Sequence, residues 1–131
     1  MTAVLDASAV LALLYREPGH EKVAELLAGE VEVVASTVNW SEVVAKLAQR
    51  GHPHPVAAMD GLRALGVQVL PFSLAEAVRA GLLWSGTRGA GLSLGDRACL
   101  AVTHAVPEGV AVTADQVWAD LDIDVPVQLI R

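Results

Sequence analysis

The chain has 131 residues, close to the commonest size of one domain. Hydrophobic residues make up 53% and charged residues 18%, which is enough apolar material for a sizeable core and too apolar for long disorder. A formal net charge of −6 argues against a nucleic-acid partner on bulk electrostatics, unless acids hold divalent cations that invert the local field and a basic rim stands beside them. No apolar run approaches the roughly 20 residues of a membrane span. Met1-Thr2-Ala3-Val4-Leu5-Asp6 has no basic region and meets an acid at once, unlike a signal peptide. A single cysteine rules out an internal disulfide and fits a reducing, cytoplasmic setting.

Thr2 to Leu5 is a short apolar run ending in Asp6, the pattern of a buried parallel strand. Ala7 to Tyr15 carries good helix formers, apolar on most faces, and Arg16-Glu17-Pro18-Gly19 ends it. His20 to Leu27 is amphipathic, with Val23, Leu26 and Leu27 on one face, and Gly29 closes it. Val31 to Ala35 is β-branched and strand-like. Thr37 or Asn39 caps a helix that runs to about Gln49, with Val43, Val44 and Leu47 inward and Lys46 and Arg50 outward. Gly51-His52-Pro53-His54-Pro55 is a turn. Val56 to Leu65 is a helix stopped by Gly66, Val67 to Leu70 a strand, and Ala75 to Trp84 a helix. Ser85 to Gly91, with three glycines, reads as a flexible connector. Leu94 to about Ala105 is a helix apolar almost all round, with Ser93 as its cap. Val110 to Val112 is a strand, Gln116 to Leu121 a short helix, and Val127 to Ile130 a last strand. This alternation predicts an α/β fold over residues 1–131, with a mainly parallel central sheet flanked by helices.

In an open parallel sheet, chemistry collects beyond the carboxyl ends of the strands. Asp6 follows the first strand and Asp115 the fourth, while Glu42 and Asp96 fall in the first turns of the two helices expected to be most buried. Each acid alone is explained by helix capping. Asn39-x-x-Glu42 and Ser93-x-x-Asp96 both have capping-box spacing. Taken together, the acids can face one edge of the sheet. Crowded carboxylates repel unless a cation sits among them. An all-oxygen set with no nearby Cys or His suits Mg²⁺ or Mn²⁺, and so metal-dependent hydrolysis of a phosphodiester.

Val4-Leu5-Asp6-Ala7-Ser8, Ser41-Glu42-Val43, Leu92-Ser93-Leu94-Gly95-Asp96 and Val112-Thr113-Ala114-Asp115 resemble the acidic motifs of PIN-domain nucleases, and their order in a short chain resembles the VapC toxins of toxin–antitoxin pairs. The resemblance spans nearly the whole chain and implies a single PIN-like domain. It implies an endoribonuclease using Mg²⁺ or Mn²⁺, homodimeric, and held inactive by a VapB-type antitoxin. It carries over Asp6, Glu42, Asp96 and Asp115 as the catalytic, metal-holding acids, with Ser8 and Thr113 as supporting hydroxyls. Asn39-Trp40 stands ahead of Ser41-Glu42 where small or apolar residues and a proline are commoner in the family.

Arg97 and Arg88 are candidate phosphate contacts, with Arg16, Lys22, Lys46 and Arg50 as further rim cations. Cys99 reads as core, His52 and His54 as an exposed turn, and Trp40, Trp84 and Trp118 as core or interface anchors. The aliphatics of Val10 to Tyr15 and Val43 to Leu47 fit either a thick core or a dimer face. Two other functions compete with the nuclease. A haloacid-dehalogenase-like phosphatase would use Asp6 as nucleophile, but wants a second Asp where Ser8 stands. A non-catalytic partner-binding module would use its acids only as caps.

Overall fold

Successive residues of the first strand, β1 (Thr2–Leu5), face opposite sides of the sheet, yet every one is buried. In the computed structural model, which describes residues 1–131, the reason is helices on both faces. Ala3 and Leu5 join Val33, Ala35 and Val112 in one core cluster. Val4 joins Val34 and Ala111 in a second, on the opposite face. This is the period of two expected of a strand covered on both sides.

The remaining strands are β2 (Glu32–Ser36), β3 (Gln68–Leu70), β4 (Gly109–Thr113) and β5 (Val127–Leu129). All pairings are parallel, in the order β3-β2-β1-β4-β5. The helices are α1 (Ala7–Tyr15), α2 (His20–Ala28), α3 (Thr37–Gln49), α4 (Pro55–Ala64), α5 (Leu74–Leu82), the single turn α6 (Trp84–Thr87) and α7 (Leu94–Ala105). Val10, Val23, Val43, Leu47, Met59 and Leu62 bring α1 to α4 to the first cluster. Leu100 and Val102 of α7, with Trp118, fill the second. No helix is long and apolar enough to cross a membrane.

The chain builds outward from β1 through β2 to β3, then returns to lay β4 on the other side of β1. The switch point of the sheet therefore lies between β1 and β4, where ligands of open α/β sheets bind. Their register pairs Leu5 with Val112, so Asp6 and Thr113 emerge side by side.

Two sequence expectations change, and one alternative left open by the sequence narrows. Neither Thr37 nor Asn39 caps α3: the cap is Ser36, whose hydroxyl accepts the Val38 N–H at 3.1 Å. The helix therefore starts directly from β2, and Glu42 lies beyond its first turn. Residues 84–90 form α6 and a 3₁₀ turn rather than a flexible connector, because the buried Thr87 hydroxyl donates to the Leu83 carbonyl at 2.7 Å. The aliphatics of α1 and α3 serve the core, and the exposed apolar stripe lies on α5, at Leu74, Val78 and Leu82.

Candidate active site

Asp6 is 3% exposed and both its oxygens are engaged. Oδ1 accepts the Ala9 N–H at 2.8 Å and the Ser8 hydroxyl at 2.7 Å. Oδ2 accepts the Thr113 hydroxyl at 2.6 Å. Each hydroxyl has one proton, and both are spent on this carboxylate. Their lone pairs take backbone donors in turn: Ser8 accepts the Ala114 N–H at 2.9 Å, and Thr113 accepts the Asp115 N–H at 3.0 Å. Two hydroxyls thus stitch β1 to the end of β4. Burial nevertheless outweighs these bonds and pushes the Asp6 carboxyl up to about 6, with the charge of Asp96 adding to the rise.

Asp96 opens α7. Its Oδ2 accepts the Ser93 N–H at 3.0 Å, and the Ser93 hydroxyl accepts the Asp96 N–H at 3.2 Å, a complete capping box. Glu42 projects from α3 toward the same end. Its carboxyl is raised by burial first and by the Asp96 charge, against the opposing influence of an Asn39 hydrogen bond and of Lys46. The carboxylate lies against Gly95, where a Cβ would overlap it. Thr37, Ser41, Glu42, Ser93 and Gly95 line a groove beside it.

The Asp96 charge adds in a minor way to the rise of both Asp6 and Glu42, burial being the main cause in each. Asp115 is exposed, and its Oδ1 accepts the Val117 N–H at 3.1 Å. Its tie to Asp6 runs through its backbone N–H and Thr113. Asp6, Asp96 and Asp115 all accept backbone N–H groups at the start of a helix or turn, as the capping explanation expects.

No group of three or more Asp, Glu, His or Cys side chains is placed closely enough here to hold a metal ion. In kind, the donors fit a hard divalent cation. Asp6, Glu42 and Asp96 offer oxygen alone, and two of them are held in surroundings that penalise their negative charge. The buried Cys99 thiol lies 3.8 Å from the Val4 carbonyl, and burial pushes it well up. It is inert core, as expected.

Of the basic residues, Lys46 acts on Glu42. Arg97, expected at a phosphate, ties α7 to α5 through a 2.9 Å bond from Nη1 to the Ala80 carbonyl. Arg88 is exposed and stacks 5.0 Å from the centre of the Trp84 ring. Arg50 lies over Tyr15 at 4.6 Å and 3.9 Å from Glu17. The sequence reading missed Asn39 as a site residue. The only local signal is a polar residue three positions before Glu42, a spacing that equally suits a helix cap.

The PIN domain family model matches residues 3–124, and the chain belongs to that family. The fold is shared with solved toxin–antitoxin proteins. DNA-bound VapBC from Salmonella typhimurium superposes with a TM-score of 0.76 at 16% identity, covering 100% of this chain and 99% of that one. VapBC2 from Rickettsia felis, bound to a promoter DNA fragment, gives 0.73 at 17% identity, covering 98% of each chain. VapC20 from Mycobacterium tuberculosis, described as a toxin that cleaves the sarcin-ricin loop, gives 0.73 at 22% identity, covering 95% of this chain and 100% of that one. None of the curated proteins compared matches the chain in sequence.

Proposed function

We propose that the chain is a VapC-type toxin, a metal-dependent endoribonuclease that hydrolyses RNA phosphodiester bonds. The observation that carries this reading is the buried Asp6 carboxylate at the switch point, held by two hydroxyls and sharing the field of Asp96 with Glu42. Membership of the PIN family and the toxin fold support it. Asp6, Glu42 and Asp96 would hold Mg²⁺ or Mn²⁺, with Asp115 completing the set at the mouth. When bound, the cation supplies activation of water and neutralisation of charge on the phosphodiester.

The chain's own residues do the rest. Ser8 and Thr113 lock Asp6 in one orientation and favour its ionised form. The Asp96 capping box fixes the second acid at the start of α7. Lys46, beside Glu42, and the exposed Arg88 would meet RNA phosphates, whereas Arg97 is engaged with α5. The partners of this reading are a second copy of the chain and a VapB-type antitoxin, in the cytoplasm. A phosphatase is disfavoured because Ser8 stands where an attacking Asp6 wants a second acid, and its hydroxyl is spent on Asp6 Oδ1.

The test is incubation of the purified protein with total RNA in Mg²⁺, in Mn²⁺ and in chelator. The reading expects cleavage with either metal, none in chelator, and none by Asp96→Asn. Cleavage that survives the chelator, or no cleavage under any condition, contradicts it. Hydrolysis of a phosphomonoester without RNA cleavage would transfer the site to the phosphatase class.

A further inference from the structure

We propose that Asn39 is a positioning residue for Glu42: its buried amide clamps the Glu42 carboxylate against Gly95 and so sets the spacing between the acids of α3 and α7. The inference rests on the reading of the acidic cluster as a divalent-cation site.

Asn39 is 1% exposed and sits in the first turn of α3. Its Nδ2 donates to Glu42 Oε1 at 2.8 Å and to the Gly95 carbonyl at 2.9 Å. Both partners are acceptors, so the amide can face them only with its NH₂ group. Its own Oδ1 is then buried without a hydrogen-bond partner. An orphaned acceptor is unfavourable for folding, and a leucine of similar volume would avoid it. What leucine cannot do is hold a carboxylate.

The placement fits that task. A glutamate side chain has three rotatable bonds, and Glu42 stands on a helix with Asp96 repelling it from another. One end of its carboxylate is pinned by Asn39, and the space it fills is open only because residue 95 has no Cβ. Gly95 immediately precedes Asp96, so the second bond from the same nitrogen ties Glu42's clamp to the backbone that carries Asp96. The Asn39-Trp40 pair that departs from the commoner family pattern thus contributes a residue that orients the acid following it.

The experiment is Mn²⁺ titration of the full chain, with free Mn²⁺ followed by electron paramagnetic resonance. The variants are Asn39→Leu, Asn39→Ala and Gly95→Ala, each alone and combined with Glu42→Gln. Circular dichroism checks folding, and the smaller Asn39→Ala carries the test if the leucine does not fold. Each single variant should weaken Mn²⁺ binding roughly 10–100-fold. Combined with Glu42→Gln, none should weaken it further, because all act through the same carboxylate. RNA cleavage lost at low Mn²⁺ should return as Mn²⁺ is raised. Wild-type affinity in both Asn39 variants overturns the proposal. So does an equal loss in the Glu42→Gln background, which would mark Asn39 as helix packing alone. If the wild type binds no Mn²⁺, the cation-site reading falls and the proposal with it. If Mn²⁺ binding couples as expected but the wild type cleaves no RNA, the nuclease assignment fails while Asn39 keeps its role.

Discussion

The Thr113 hydroxyl donates to Asp6 Oδ2 at 2.6 Å, joining the ends of two strands that are adjacent in the sheet and far apart in the chain. The bond favours the ionised carboxylate against the burial that opposes it. Thr113→Val removes that donor and leaves the Asp115 N–H without its acceptor. The expected result is cleavage lowered by roughly ten-fold or more at neutral pH, with the midpoint of the pH–rate curve moved upward. Thr113→Ser keeps the donor and should stay near wild type. Initial rates on one RNA across a pH series decide between them.

Asp6 also makes stability depend on pH. Its folded value of about 6 lies above the ordinary 3.8, so the folded chain binds more protons than the unfolded chain between these values. Stability in chelator should therefore fall as pH rises through that window and level off above it. The displacement corresponds to about 3 kcal/mol. Asp6→Asn keeps an oxygen for the Ala9 N–H and removes the titrating charge. It should flatten the dependence and raise the metal-free melting temperature above pH 6, by roughly 4 °C per kcal/mol recovered. Melting curves of both proteins from pH 4 to 8 test this. A wild-type stability that climbs across the window contradicts the account.

Asp96→Asn separates the cap from the charge. The asparagine side-chain oxygen can still accept the Ser93 N–H, and Ser93 remains the N-cap, so α7 should form. The charge that acts on Asp6 and Glu42 is lost. Cleavage should drop below detection while metal-free melting stays equal or rises. Unfolding of this variant would assign Asp96 to structure alone.

The stripe of Leu74, Val78 and Leu82 on α5 is 82%, 53% and 75% exposed in the isolated chain. Such a patch marks an interface more often than a solvated face. If it lies in the proposed homodimer, Val78→Glu should shift the sedimentation of the protein toward monomer and leave Mn²⁺ affinity unchanged. A dimer that survives the substitution would put the interface elsewhere.

The strand-then-acid junction at Leu5-Asp6 and the start of α7 at Ser93 were legible because each pairs a local rule with a sharp change in hydrophobicity. The parallel alternation followed for the same reason. The start of α3 was not legible, because Ser36, Thr37 and Asn39 are all plausible caps and only the direct exit from β2 selects Ser36. Asn39's partners lie on α7 as well as α3, a contact between residues 39 and 95 that no local spacing shows. Residues 84–90 misled because glycine frequency outweighed one buried threonine, whose bond to Leu83 holds the turn. Arg97 was assigned by its neighbour Asp96, yet successive helical positions point about 100° apart, and its guanidinium goes to Ala80.

On the proposed reading, the acids of β1, α3 and α7 together hold a divalent cation. Anomalous diffraction from a crystal soaked in Mn²⁺ tests it most directly. The account predicts an anomalous peak among the carboxylates of Asp6, Glu42 and Asp96, missing in crystals of Asp96→Asn. Manganese found only elsewhere on the protein, or a peak unchanged in the Asp96→Asn crystals, would contradict it.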